Sequence, residues 1–231
     1  MHPERLAIVQ GWGDTRAALR RWNARPGAVL GPWLLGSLAV ALTLLLATWV
    51  IALVSTPDLT HIGLAGVGAP ATVGDYVFIL YRNGLVLALH ATACVAGFVA
   101  RSSLPRAATG YSGAWRRVHD RAGSAAIAFV IAATMFSLGT QAYSLGGRAA
   151  SVAAQLGMSP GLLLLALLPH ALPELCALFL PLAAWTVASR RGQWNDLLAA
   201  TLVTTALAAP VLLLAGAVEV WVTPHVLYFL K

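Results

Sequence analysis

Residues 29–55 read VLGPWLLGSLAVALTLLLATWVIALVS, 27 residues without a single charged side chain. A helix needs about 20 apolar residues to cross a bilayer, because each residue adds about 1.5 Å against a hydrocarbon core of about 30 Å. This run is long enough, and Thr56-Pro57 ends it. It is also longer than the roughly 7–15 apolar residues of a secretory leader, so it is expected to remain as a span. Four further apolar runs follow, at residues 79–100, 123–145, 160–189 and 197–222. All are rich in Leu, Ala and Val without sustained alternation, which favours helices over barrel strands. The expected fold class is all-α, a polytopic transmembrane helical bundle of about five spans.

Composition agrees. The chain has 231 residues, 59% of them hydrophobic and only 10% charged, where a soluble domain carries about 25% charged residues. Its mean hydropathy is +0.77. So few charges cannot cover the surface of a soluble protein of this length, which excludes a cytosolic enzyme, a secreted disulfide scaffold and a disordered regulator. Cys94 and Cys176 lie inside apolar runs with no C-x-x-C spacing, and read as small apolar fillers.

The formal net charge of +7 would suggest nucleic acid in a soluble protein. Here the cations flank apolar runs and lack interleaved aromatics, so they read as orienting charges and no nucleic-acid partner is expected. Residues 1–28 hold five Lys or Arg, residues 101–122 five and residues 190–196 two. The loops at 56–78 and 146–159 and the carboxyl-terminal tail together hold only Arg148 and Lys231. Twelve against two predicts a cytoplasmic amino terminus and an external carboxyl terminus. The chain divides into a basic cytoplasmic segment, 1–28, and a single transmembrane helical domain, 29–231. The first segment has two open readings, an amphipathic helix on the inner leaflet or a frayed topogenic tail.

Ionisable groups inside a bilayer cost roughly 2.5–3.5 kcal/mol each on insertion scales, so each calls for an explanation. The candidates are Arg82, His90, His170, Glu174 and Glu219. His170 and Glu174 are four apart and share a face if helical. Pro173 between them removes a backbone donor and crowds the carbonyl of Pro169, so the fourth segment is expected to be broken there. Three roles stay open for the cluster. It can be a structural network in which Arg82 neutralises a carboxylate and His170 bonds across helices. It can be a proton or ion path. It can be a metal site built from His170, Glu174, His90 and Glu219, although the second histidine of H-E-x-x-H is missing. Trp33, Trp49, Trp185, Trp194 and Trp221 fall near span ends, where interfacial belt residues are expected. Gly139, Gly146 and Gly147 read as packing contacts and helix ends.

Three stretches carry a family resemblance. Leu168-Pro169-His170-Ala171-Leu172-Pro173-Glu174-Leu175 is similar to "P-H-G-x-x-E-[LI]", with Ala171 where the glycine usually stands. Val218-Glu219-Val220-Trp221-Val222-Thr223-Pro224 is similar to "I-E-A-F-V-[ST]-P". Tyr81-Arg82-Asn83-Gly84-Leu85 is similar to "N-N-L-x-x-A", with Gly84 in place of the second asparagine. In these stretches, within residues 75–231, the chain resembles the stage II sporulation protein M family. The resemblance implies a helical bundle in a bacterial plasma membrane that scaffolds cell-wall remodelling partners. It also marks Asn83, His170, Glu174, Glu219 and Pro224 as residues to watch.

The first functional expectation is therefore a non-enzymatic membrane scaffold or regulator. It would meet the lipid bilayer and other membrane or envelope proteins, and small residues such as Gly97 would permit close helix packing either within the chain or with a second copy in a homo-oligomer. On that reading His170, Glu174 and Glu219 converge in an outward-opening pocket. The alternative is a membrane subunit of a transporter or small-solute channel, and the third reading is an intramembrane metalloenzyme. No catalytic residue, cofactor or metal ligand is assigned.

Overall fold

The computed structural model describes residues 7–60, 64–67, 69–103 and 112–230. The described residues are 89% helical, with no strand among them. In chain order the helices are α1 Ala7–Ala24, α2 Pro26–Val54, α3 Val73–Phe98, α4 Gly113–Leu156, α5 Pro160–Arg191, α6 Leu197–Ala217 and α7 Thr223–Leu230. Two π-turns, Val99–Ser103 and Val218–Val222, extend α3 and link α6 to α7. Among the described residues, five segments are long and apolar enough to cross a membrane: Pro26–Val54, Val73–Ser102, Ser124–Leu156, Pro160–Arg191 and Trp194–Leu230. This is the architecture of a multi-pass membrane protein.

The helix starts follow local chemistry. Thr72 and Asp75 form a reciprocal cap at the start of α3: the Asp75 carboxylate accepts from the Thr72 amide at 2.8 Å, and the Thr72 hydroxyl accepts from the Asp75 amide at 3.2 Å. The α4–α5 connection closes through Gly157, at φ +68°, with the Met158 amide donating to the Ala153 carbonyl at 3.0 Å. Ser159 then caps α5 and Pro160 takes its first position, where a missing donor costs nothing.

The break expected in the fourth span is not seen. α5 runs as one helix of 32 residues through Pro169, Pro173 and Pro181. Each proline deletes one backbone bond, and a long membrane helix tolerates that loss because its remaining bonds and close neighbours hold the segment. The irregularity lies in the fifth span. There the Thr223 amide bonds the Val218 carbonyl, five residues back, and Pro224 has no N–H to offer the Val220 carbonyl.

Contacts group the described residues into two compact units. The first takes the amino-terminal stretch through Ser37 with Leu87–Thr134 and Phe179–Leu207. In it the amino-terminal segment is the helix α1, whose small face, Gly11, Thr15 and Ala18, is buried. A Cβ on Gly11 would stand 3.4 Å from the Phe98 ring and overlap Leu198. Trp12 and Leu19 remain exposed, so the packed face is the small one rather than the large apolar one. The Trp22 and Trp33 rings meet edge to face at 5.2 Å and cover Leu180, Ala184 and Ala200. Trp33 and Trp185 are therefore core residues, against the belt expectation, whereas Trp49 and Trp221 stay exposed. Gly97 faces Leu197 and Trp185 of its own chain, so its small size serves packing within the unit. Cys94 is buried, with Sγ 3.3 Å from the Pro181 carbonyl, a filler as its surroundings suggested.

The second unit takes Leu38–Val86, Met135–Leu178 and the chain from Ala208 onward. Its core is an alanine-rich seam, with Ala149, Ala150 and Ala153 of α4 packed with Leu163 and Ala166 of α5, Ala52 of α2 and Leu227 of α7. Small side chains let helix backbones approach closely where lipid gives no hydrophobic drive for association. Gly146 shows how closely: a Cβ there would lie 3.0 Å from the Thr48 carbonyl. The segment after α2 is tied to α4, with the Asp58 amide donating to Ser151 at 2.9 Å and Gln155 donating to the Asp58 carbonyl at 2.7 Å.

Candidate functional site

The second unit holds a half-open cavity of about 520 Å³. Its walls come from α2, α3, α4, α5, the Val218–Val222 π-turn and residues 64–67, 69 and 70. Among the described residues, six ionisable side chains line it, namely Asp75, Arg82, Arg148, His170, Glu174 and Glu219, set among leucine, alanine and valine. Every lining residue belongs to the second unit. A smaller cavity of about 170 Å³ in the first unit is lined by Arg21, Trp33 and Arg191 among others.

Local structure explains how each group reaches the large cavity. Asp75, Phe78, Ile79 and Arg82 recur at the three- and four-residue spacing of one face of α3. His170, Ala171 and Glu174 do the same on α5, and the unbroken helix keeps that register. Glu219 sits in the π-turn, whose extra residue per turn shifts its direction from that of a regular helix.

The network is partly tied. Asn83 donates to Glu174 Oε1 at 2.9 Å. Buried His170 shares a 2.9 Å hydrogen bond between its Nδ1 and the Thr223 hydroxyl. Asp75 is occupied by Thr72. Among the described residues, no guanidinium lies within 4.0 Å of Glu174 or Glu219, so Arg82 is not their direct ion-pair partner. Its guanidinium rests instead over the Phe78 ring at 5.9 Å and acts on both carboxyl groups at longer range. Thr48 is 3% exposed and lines the cavity, and its hydroxyl has no hydrogen-bond partner among the described residues. A buried hydroxyl in that state costs about 1–3 kcal/mol.

The sequence candidates thus divide. Arg82, His170, Glu174 and Glu219 line one cavity, and Asn83 is bonded to it through Glu174. Pro224 packs where a Cβ on Gly66 would stand, behind the wall formed by Gly66. His90 does not join them; it lies in the first unit, fully buried, edge-on to Phe179 at 5.2 Å. Among the described residues no three His, Cys, Asp or Glu side chains are grouped to hold a metal ion. Sequence reading missed Thr48 and Thr223 and gave Arg148 only a topological role. A hydroxyl in an apolar run carries no signal of its own, because most such groups bond their own helix, as Thr43 does to Ala39.

Replacing Thr223 by Val tests the bond to His170. Interhelical bonds of this kind in membranes are worth about 0.6–1.7 kcal/mol. The variant is expected to lower the thermal midpoint of the purified protein by a few degrees, and an unchanged midpoint would remove the bond from the stability account.

Comparison with family models, curated proteins and solved structures finds no match to the chain. Fold and site define its class, a multi-pass helical membrane protein with a polar cavity in one of its two units.

Proposed function

We propose that this protein is a scaffold or regulator of a bacterial plasma membrane, of the stage II sporulation protein M type, which organises membrane or envelope partners in cell-wall remodelling. One observation carries the reading. Of the motif residues that carry the resemblance, His170, Glu174 and Glu219 line a single cavity and Asn83 is bonded to Glu174, although Asn83 and Glu219 stand more than 130 positions apart in the chain. Residues that meet only in the fold, and are polar inside an apolar chain, mark a site rather than a set of helix ends. The scaffold is tested by purifying the tagged full chain from its native membrane in mild detergent and identifying what co-purifies. Wall hydrolases or division proteins are the expected companions.

The charge asymmetry gives the orientation of this reading, amino terminus cytoplasmic and carboxyl terminus external. Residues 64–67, 69 and 70, which wall the cavity, then belong to the external side. A membrane-impermeant maleimide on intact cells should label a Leu59→Cys variant and spare Arg190→Cys, both sites being exposed. The unsubstituted chain gives the background from Cys94 and Cys176. The opposite labelling pattern would invert the topology.

A transporter subunit is the second reading, favoured by the ionisable lining of the cavity. It requires solute uptake to fail in a Glu174→Gln variant that still folds, and an ATPase or second permease to co-purify.

A further inference from the structure

We infer that the cavity of the second unit is a binding site for a small zwitterion, its ammonium group seated at Glu174 and Glu219 and its phosphate or carboxylate met by Arg148 and Thr48. The inference goes beyond the scaffold reading and stands whether or not wall hydrolases are the partners.

Size comes first. A cavity of about 520 Å³ lies within the roughly 300–1,000 Å³ of small-molecule sites, which are mostly apolar with a few convergent polar groups. The polar groups here are of both signs. Glu174 and Glu219 come from α5 and the π-turn. Asn83 takes one oxygen of Glu174, and among the described residues no protein donor reaches Glu219. Glu174 and Glu219 face the space with Arg82 nearby, which touches neither within 4.0 Å, while the third carboxylate of the lining, Asp75, is taken up by Thr72. A metal ion would want a third ligand of its own class, and none is grouped there among the described residues. An ammonium N–H donor needs only acceptors, and it is the cation that matches.

The opposite charge is supplied from α2 and α4. Arg148 lines the cavity, and among the described residues it has no carboxylate within 4.0 Å. Thr48 lines the same space with a buried hydroxyl that has no hydrogen-bond partner among the described residues. α2 and α4 touch at this level, where Gly146 meets the Thr48 carbonyl. Neutral hydroxyls inside a helix ordinarily return to their own backbone; this one does not, and it donates readily to an anionic oxygen. Acidic groups that seek a cation, and a guanidinium with a hydroxyl that seek an anion, share one otherwise mostly apolar lining, and together they describe a ligand carrying both charges.

That chemistry has two sources, the headgroup of a phosphatidylethanolamine or a free solute such as a phosphorylated amino alcohol. Two probes separate them on the full-length protein. Native mass spectrometry from nanodiscs containing equal phosphatidylethanolamine, phosphatidylcholine and phosphatidylglycerol reads lipid retention. Calorimetric titration of O-phosphoethanolamine into protein in phosphatidylcholine nanodiscs reads the solute. Retention of phosphatidylethanolamine at least five-fold over the other two assigns the lipid, because phosphatidylcholine lacks N–H donors and phosphatidylglycerol lacks the ammonium. Saturable heat from O-phosphoethanolamine assigns the solute. In either case Thr48→Val and Glu219→Gln should each weaken binding about ten-fold, while the ligand-free thermal midpoint of Thr48→Val equals or exceeds that of the parent. Absence of both signals, equal retention of phosphatidylglycerol, or folded variants that bind as the parent does would overturn the inference.

Discussion

Gly146→Val is expected to cost about 3 kcal/mol or more, the upper end of what overpacking does to a filled interior. The reason is what stands opposite. A Cβ at Gly146 would lie 2.5 Å from Ile51 Cγ2, 2.6 Å from Ile51 Cβ and 3.0 Å from the Thr48 carbonyl oxygen. Neither neighbour can swing aside. Ile51 is β-branched and stiff at χ1 within a helix, and its Cβ is fixed to the backbone. The carbonyl belongs to the backbone of α2 itself. α2 and α4 would have to separate, opening the alanine seam beside them. The control lies one residue away. A Cβ on Gly147 meets nothing within 4 Å, so Gly147→Val should change stability by less than about 0.5 kcal/mol. At roughly 2–4 °C per kcal/mol for a chain of this length, the two thermal midpoints should differ by about 6–12 °C. Equal midpoints would mean that α2 and α4 are not in contact at this level.

The pair also shows where sequence reading reaches its limit. Gly146 and Gly147 are adjacent and chemically identical, and both were expected to serve packing or a helix end. One is a helix contact; Gly147, like Gly139, looks into open space in mid-helix. The period of a helix shows which residues share a face but not which face has a neighbour. The span boundaries behave similarly. The run 123–145 stops at the polar Gly146-Gly147-Arg148 stretch, yet α4 continues to Leu156 because Ala149, Ala150 and Ala153 have α5 to pack against. What hydropathy carries is the number of spans, since that depends only on apolar length.

The site divides along the same line. Arg82, His170, Glu174 and Glu219 were visible because a charge in an apolar run is costly wherever the run ends up. His90 met the same criterion and proved to belong to another packing environment, beside Phe179. Cost identifies a residue that needs a partner without naming the partner. The supposed partner, Arg82, is more than 4.0 Å from both carboxylates, and an uncharged neighbour, Asn83, makes the contact. The proline argument for a broken fourth span failed for a related reason. It counted the lost backbone bond at Pro173 and left out the rest of a 32-residue helix.

The stretch that walls the cavity gives the second large effect, at Gly66. Its φ of +76° lies in the left-handed region, where a Cβ costs about 1–2 kcal/mol. A Cβ there would also stand 2.5 Å from Pro224 Cγ and 3.2 Å from the Val220 carbonyl oxygen. Gly66→Ala therefore carries two independent penalties, backbone strain and overlap with a rigid ring. Because Gly66 lies in a connecting turn, closed by the Val67 amide on the Leu64 carbonyl at 3.3 Å, the least costly response is for the turn to lift away while the helices stay folded. A loss of about 2–3 kcal/mol in local stability corresponds to amide exchange roughly 30–150-fold faster in a peptide covering 57–78, with the midpoint of helix unfolding little changed. Pro224→Ala removes the ring carbon nearest to the new methyl group and leaves the positive φ in place. Combined with Gly66→Ala it should recover the steric part of the loss and none of the backbone part, a coupling of about 1 kcal/mol in a double-mutant cycle. Strictly additive effects would mean that Gly66 and Pro224 are not in contact. They would also give Pro224, which the sequence marked as a functional candidate, no part in holding the wall beside Glu219.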